Sequence, residues 1–199
     1  LLPLSTAING LMAISKNVMK MLTLSSTSQV SALKLPKRLK SLVGDNYIIS
    51  KFADLPVPSQ MAIVWTMAVD GEAWGGEWID DLIPDELSPD EPAFKDALVN
   101  ILPVFIKKYG RKKFISSLIP TEKLKKSVFQ DYGIAAHYNS WEDYAAWYAS
   151  VDDIPHYSSE NRWPVILLCD HDETVFDGLH RMHSYMNSGH LEIPAIYPL

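Results

Sequence analysis

One cysteine, Cys169, stands in 199 residues, so the chain has no internal disulfide framework. That usage favours a reducing compartment, and the expected location is the cytoplasm. Long apolar runs are missing too. In LLPLSTAINGLMAISKNVMKMLTLSS, the residues Asn9, Lys16, Asn17 and Lys20 interrupt the apolar positions well short of membrane-spanning length. No basic cluster precedes them, as a secretory signal would require. Leu11, Ile14, Val18, Met21 and Leu22 fall at helical spacing instead and predict an amphipathic helix. The stretch lacks an initiator Met, as a processed or trimmed chain would. Repeats and low-complexity tracts do not occur. With 47% apolar and 21% charged residues, the composition is that of a globular chain able to bury a full core.

Basic residues are scarce outside one block. Net charge is −6, residues 70–96 carry ten acids against Lys95, and residues 156–199 carry six against Arg162 and Arg181. Residues 107–126 reverse the balance, with Lys107, Lys108, Arg111, Lys112, Lys113, Lys123, Lys125 and Lys126 against Glu122. Such a block can contact nucleic acid phosphates; more often it is a solvated helix surface.

Helix signals dominate the first three quarters. In SPDEPAFKDALVNILPVFIKKYG, Ser88 reads as N-cap, Pro89 as the first helical residue, and Lys107, Lys108 and Gly110 as the end. Pro103 should kink or split that helix. RKKFISSLI and TEKLKKSVFQDYG read as two further helices separated by Pro120, and NSWEDYAAWYASV opens a helix at Ser140. VPSQMAIVWTMAVDG fits a buried helix better than a strand. GEAWGGEW reads as a loop.

After Pro155 the pattern changes. WPVILLCD is a continuous apolar run, HDE breaks it, and TVFDG resumes extended character, which predicts a hairpin. LHRMHSYMNSG follows as a short helix stopped by Gly189, and LEIPAIYP closes as a strand whose proline points to an edge or a strand start. The fold class is α+β. Residues 1–139 form a mainly helical region and 140–199 a small mixed sheet with helices. No clear linker divides them, so the helical part reads as an elaboration of one domain.

The turn between TVFD and the following helix concentrates the chemistry. First-turn backbone N–H groups lack intrahelical partners and carry the positive end of the helix dipole. Gly178 allows close approach of a ligand oxygen, Arg181 offers a bidentate fork to a phosphate, and His180 can donate a hydrogen bond or shuttle a proton. Asp177 can hold a metal ion, accept a hydroxyl proton, or simply cap the helix. In the bland alternative Arg181 pairs with Asp177 and no anion binds.

The stretch PVILLCDHDETVFDGLHRMHSYMNSGHLEIPAIY resembles the core of the ParB/sulfiredoxin superfamily, over about residues 162–198. There two strands lead into a D-G-x-H-R-type turn, a helix, a glycine and an I-P strand. The resemblance implies a ParB/sulfiredoxin-like fold and a bound nucleotide (ATP, ADP or CTP), with Mg2+ as an accompanying ion. It also implies that Gly178, Leu179, His180 and Arg181 hold the phosphates and that Asp177 and His180 take part in catalysis. Sulfiredoxins carry their reactive cysteine where this chain has Leu179, so that chemistry is not expected. ParB proteins use a different version of the turn, followed by a helix-turn-helix region. The closest version is that of free serine kinases, whose additional acidic base has only Glu160, Asp170, Asp172 and Glu173 as nearby candidates here.

Three functions stay open at this stage. The first is a nucleotide-dependent enzyme such as a phosphotransferase. The second is a nucleic-acid-associated accessory protein using residues 107–126, and the third an interaction protein with a vestigial turn. A metal centre at His180 and His183 has the right helical spacing but no supporting ligands, so no metal site is assigned. Trp141, Tyr144, Trp147 and Tyr148 form an aromatic helix face that reads as core.

Overall fold

The computed structural model describes residues 33–70, 92–151, 163–169 and 172–199. In chain order the elements are α1 (Lys37–Val43), β1 (Ile48–Lys51), a 3-10 turn (Phe52–Asp54), α2 (Val57–Asp70) and α3 (Pro92–Tyr109). There follow β2 (Lys113–Pro120), α4 (Thr121–Phe129), α5 (Tyr132–Ala135), α6 (Trp141–Val151) and β3 (Val165–Leu167). The chain closes with β4 (Val175–Asp177), α7 (Leu179–Asn187) and β5 (Glu192–Pro198). The helix expected across Leu11–Leu22, the start at Ser88 and Pro89, the Gly71–Trp78 loop, and Glu160 and Asp170 lie outside the described residues.

Alternation in β2 decides the architecture. Ile115 and Ile119 pack into one cluster and Phe114 into another on the opposite side, the period of two that an extended chain gives. The helix expected at Arg111–Ile119 is therefore corrected to a strand. The described part of residues 1–139 is mainly helical, as expected, but it also contributes β1 and β2 to the sheet. The protein is α+β, with its sheet ordered β1-β2-β5-β3-β4. Antiparallel pairs join β1 to β2, β2 to β5 and β3 to β4, while β3 and β5 run parallel.

The last strand is central, and Pro194 is its third residue, so neither the edge nor the strand start that its proline suggests is found. β5 pairs with β2 along its whole length, from Pro120↔Glu192 to Phe114↔Pro198. Its pairing with β3 covers only Val165↔Ala195 and Ile166↔Ile196, so Pro194 lies outside that ladder, where a missing N–H costs no bond to β3. Pro103 does not split its helix, since α3 runs unbroken through it.

Helices cover both faces of the sheet. One layer joins Ile115, Ile119, Val165, Leu167 and Ile193 to buried residues of α1, α4, α6 and α7. The other joins Phe114, Ile166 and Ile196 to Phe52, α2 and α3. VPSQMAIVWTMAVD is apolar enough to be buried as a helix, which is the predicted α2. No described helix is long and apolar enough to cross a membrane.

A buried polar network ties three elements together. Arg38 of α1 donates to Asp131, to the Ser127 carbonyl at 2.9 Å and to the Ser127 hydroxyl at 3.2 Å. Asp131 also accepts from the Thr174 amide at 2.9 Å and hydroxyl at 2.8 Å. Burial raises the Asp131 carboxyl above its ordinary value, against the opposing pull of these donors. The network fixes the connection from β3 to β4. That connection holds Cys169, expected within the strand but found just beyond β3; it is buried, at φ 56.

Candidate functional site

The β4–α7 turn is built by local rules. β4 ends at Asp177, opposite Ile166 of β3. Gly178 takes φ 94 and caps α7 in a left-handed conformation, with no side-chain cap. The first helical bond runs from the Met182 amide to the Gly178 carbonyl at 2.8 Å. At the far end Gly189, at φ 74, closes the helix. Its amide donates to Met186 at 2.9 Å and the His190 amide to Tyr185 at 3.1 Å, the paired bonds of a glycine-terminated helix.

Arg181 folds back over the glycine. A Cβ at position 178 would lie 2.6 Å from Arg181 Nη2 and 2.8 Å from both Cζ and Nε. Only glycine satisfies this approach and the positive φ together. Nη2 donates to Asp177 Oδ2 at 3.1 Å, with the two side chains 18% and 24% exposed. Arg181 Nε is buried and makes no hydrogen bond. The expected anion flanked by Arg181 thus has a competitor: the guanidinium already lies against the Asp177 carboxylate.

Thr66 completes the site and went unrecognised in the sequence. Its hydroxyl bonds to Asp177 Oδ2 and, at 2.8 Å, to the Ala62 carbonyl. Both are acceptors, so one hydroxyl proton serves two oxygens. The available signal was a polar residue inside an apolar helix, since a buried hydroxyl requires a partner.

The remaining residues face elsewhere. Leu179 is half-buried and packs against the core layer of α6 and α7. His180 is exposed and meets the Tyr148 ring edge-on at 5.4 Å. The expected catalytic pair of Asp177 and His180 is therefore divided between two neighbours, Thr66 of α2 and Tyr148 of α6. His183 is buried between Tyr148, stacked at 4.4 Å and 10°, and Trp141, stacked at 5.4 Å and 15°. Burial lowers its pKa to about 4, helped by the nearby His180, and its Nε2 has no hydrogen-bond partner. Trp141, Tyr144 and Tyr148 are core, as their spacing predicts, while Trp147 is largely exposed. Asp172 and Glu173 are exposed on the β3–β4 connection. No group of three or more His, Cys, Asp or Glu suited to a metal ion occurs among the described residues.

The basic segment 107–126 does not form one stripe. Lys107 and Lys108 end α3 and Lys112 and Lys113 lead into β2, whereas Lys123, Lys125 and Lys126 lie on α4 beyond it. The seven strand residues after Lys113, roughly 23 Å, separate the two groups. Lys125 is also committed to Glu142 at 3.3 Å. Comparison with protein-family models, curated proteins and solved structures finds no match for this chain.

Proposed function

We propose that the β4–α7 turn binds a phosphate-bearing small molecule, a nucleotide, in a protein of ParB/sulfiredoxin-like fold. One observation carries the reading. A helix of nine residues begins at a left-handed glycine without a side-chain cap, and a guanidinium lies directly over that glycine. Helix N-terminal amides and an arginine fork together suit a phosphate. Gly178 and Leu179 supply backbone, Arg181 the fork, and His180 a second donor at the exposed rim. The Asp177–Arg181 pair holds the guanidinium near its working place, and an incoming phosphate exchanges one anionic partner for another.

Calorimetry with nucleoside di- and triphosphates, with and without Mg2+, tests this. Arg181→Ala weakens binding by about 1.5–3 kcal/mol through loss of charge-assisted hydrogen bonds. Asp177→Asn removes the competing anion and leaves binding intact or tighter. Absence of binding by the wild type across the panel, or unchanged affinity in Arg181→Ala, would refute the proposal. Phosphotransfer is the finer reading, with Asp177 accepting the acceptor-hydroxyl proton or holding Mg2+, and His180 donating to the phosphate. Nucleotide turnover lost in Asp177→Asn while binding persists supports it. A cytoplasmic location accords with the lone buried Cys169.

A further inference from the structure

Thr66 and Asp177 lie far apart in the chain, and an irregularity in β4 brings them together. In a regular strand successive side chains alternate between the two faces of the sheet. β4 breaks that rule. Val175 pairs with Leu167 and Asp177 with Ile166, so one step along β3 answers two along β4. Phe176 is the extra residue of a bulge, a device that re-aims the side chain beside it. Val175 accordingly packs in the layer of α6 and α7, while Phe176 packs in the layer of α2 and α3. Asp177 shares that second face with its partner Ile166 and reaches Thr66 of α2. Without the bulge Asp177 would follow Val175 to the other face, away from Thr66.

Both contacts of the carboxylate fall on one oxygen. Asp177 Oδ2 accepts from the Thr66 hydroxyl and, at 3.1 Å, from Arg181 Nη2, whereas Oδ1 accepts from none of the described residues. Oδ1 is not enclosed either. Among the described residues, the buried side-chain atoms without a partner belong to Ser116, Arg181 and His183. Thr66 is 1% exposed within an apolar stretch of α2, and its hydroxyl also lies 2.8 Å from the Ala62 carbonyl. The carboxylate is the stronger acceptor of the two and draws the hydroxyl proton. Two donors on Oδ2, one of them anchored in a buried helix, restrain the carboxylate and leave Oδ1 as its open oxygen.

We propose that Thr66 is a positioning residue, holding Asp177 so that Oδ1 takes the proton of an acceptor hydroxyl during phosphoryl transfer. The inference rests on the phosphotransfer reading of the turn. The acceptor oxygen forms its bond to the γ-phosphorus of a nucleoside triphosphate as its proton passes to Oδ1. The bond from phosphorus to the bridging oxygen breaks, and its electron pair leaves on the nucleoside diphosphate. Aim matters in such a step, because misplacing a reacting group by ~1 Å can cost about a hundredfold in rate.

The probe is ATP with Mg2+, with water as the acceptor. Phosphate release gives kcat and calorimetry gives nucleotide affinity, both on the full chain. Thr66→Val keeps the shape of the side chain and removes the hydroxyl. It should lower kcat by at least about tenfold and change Kd by less than about twofold. Thr66→Ser, which keeps the hydroxyl, should stay close to the wild type. Thr66→Cys, of similar size and only a weak donor, decides the matter if Thr66→Val does not fold. Wild-type kcat in the folded Val or Cys variant overturns the positioning role and leaves phosphotransfer standing. A loss confined to affinity, or an equal loss in Thr66→Ser, overturns it in the same way. Absence of phosphate release by the wild type overturns both, while nucleotide binding at the turn is judged separately by Arg181→Ala.

Discussion

Replacing Gly178 by Ala tests the geometry of the turn without needing a ligand. Two costs add. An L-residue at φ 94 is strained by about 1–2 kcal/mol. The new methyl would also sit 2.6 Å from Arg181 Nη2, so the guanidinium must leave. The displaced group is the far end of a flexible side chain, so the steric part relaxes. What is lost is the pairing with Asp177, worth about 0.5–1 kcal/mol at 18% and 24% exposure. The sum is roughly 1.5–3 kcal/mol, read in urea unfolding as a lower midpoint at unchanged slope. Making the same change in an Arg181→Ala background separates the terms, because only backbone strain remains there. Gly178→Ala should then cost about 0.5–1 kcal/mol less than in the wild type. A cost below about 0.5 kcal/mol in the wild type, or equal costs in the two backgrounds, would refute this account.

Two further outcomes follow from buried polar groups. His183 has a folded pKa of about 4, below the ordinary 6.5, so its stabilisation is complete above about pH 6.5 and fades as pH falls towards 4. Between pH 7 and pH 5 the wild type should lose about 2 kcal/mol relative to His183→Phe in chemical unfolding, and parallel pH profiles would show that the imidazole is not held neutral. Asp131→Ala removes the anionic partner of Arg38, which keeps its bonds to Ser127, and leaves the buried Thr174 amide unpaired; it should destabilise by about 3 kcal/mol in thermal or urea unfolding. Arg38→Ala combined with it should cost less than the sum of the single changes, and simple additivity would mean the network is not coupled.

Elements whose cause is local were legible in the sequence. The α7 helix follows from Gly178 and Gly189 at its ends, and α6 from Ser140, whose Oγ accepts from the Asp143 amide at 3.1 Å. The β3–β4 hairpin follows from an apolar run, a polar break and a second extended stretch, although Thr174 and Asp131 hold its connection from outside. β2 was misread because its flanking lysines imitate a helix end. Its true signal, alternation in Phe114, Ile115 and Ile119, makes sense only when both faces are covered.

By itself the sequence determined the α+β class, the strand, strand, helix, strand order after residue 163, and the placing of Asp177, Gly178 and Arg181 on one turn. Capping, glycine conformation and period-two patterning act within a few residues, so they are written locally. Tertiary structure alone decided that β5 is central, that β1 and β2 complete its sheet, and that Thr66, 111 residues away, binds Asp177. It also decided that the carboxylate engages Arg181, and that Asp177 and His180 have different neighbours. Strand pairing and side-chain partnership depend on which distant surfaces meet when the core closes, and no local window contains that information.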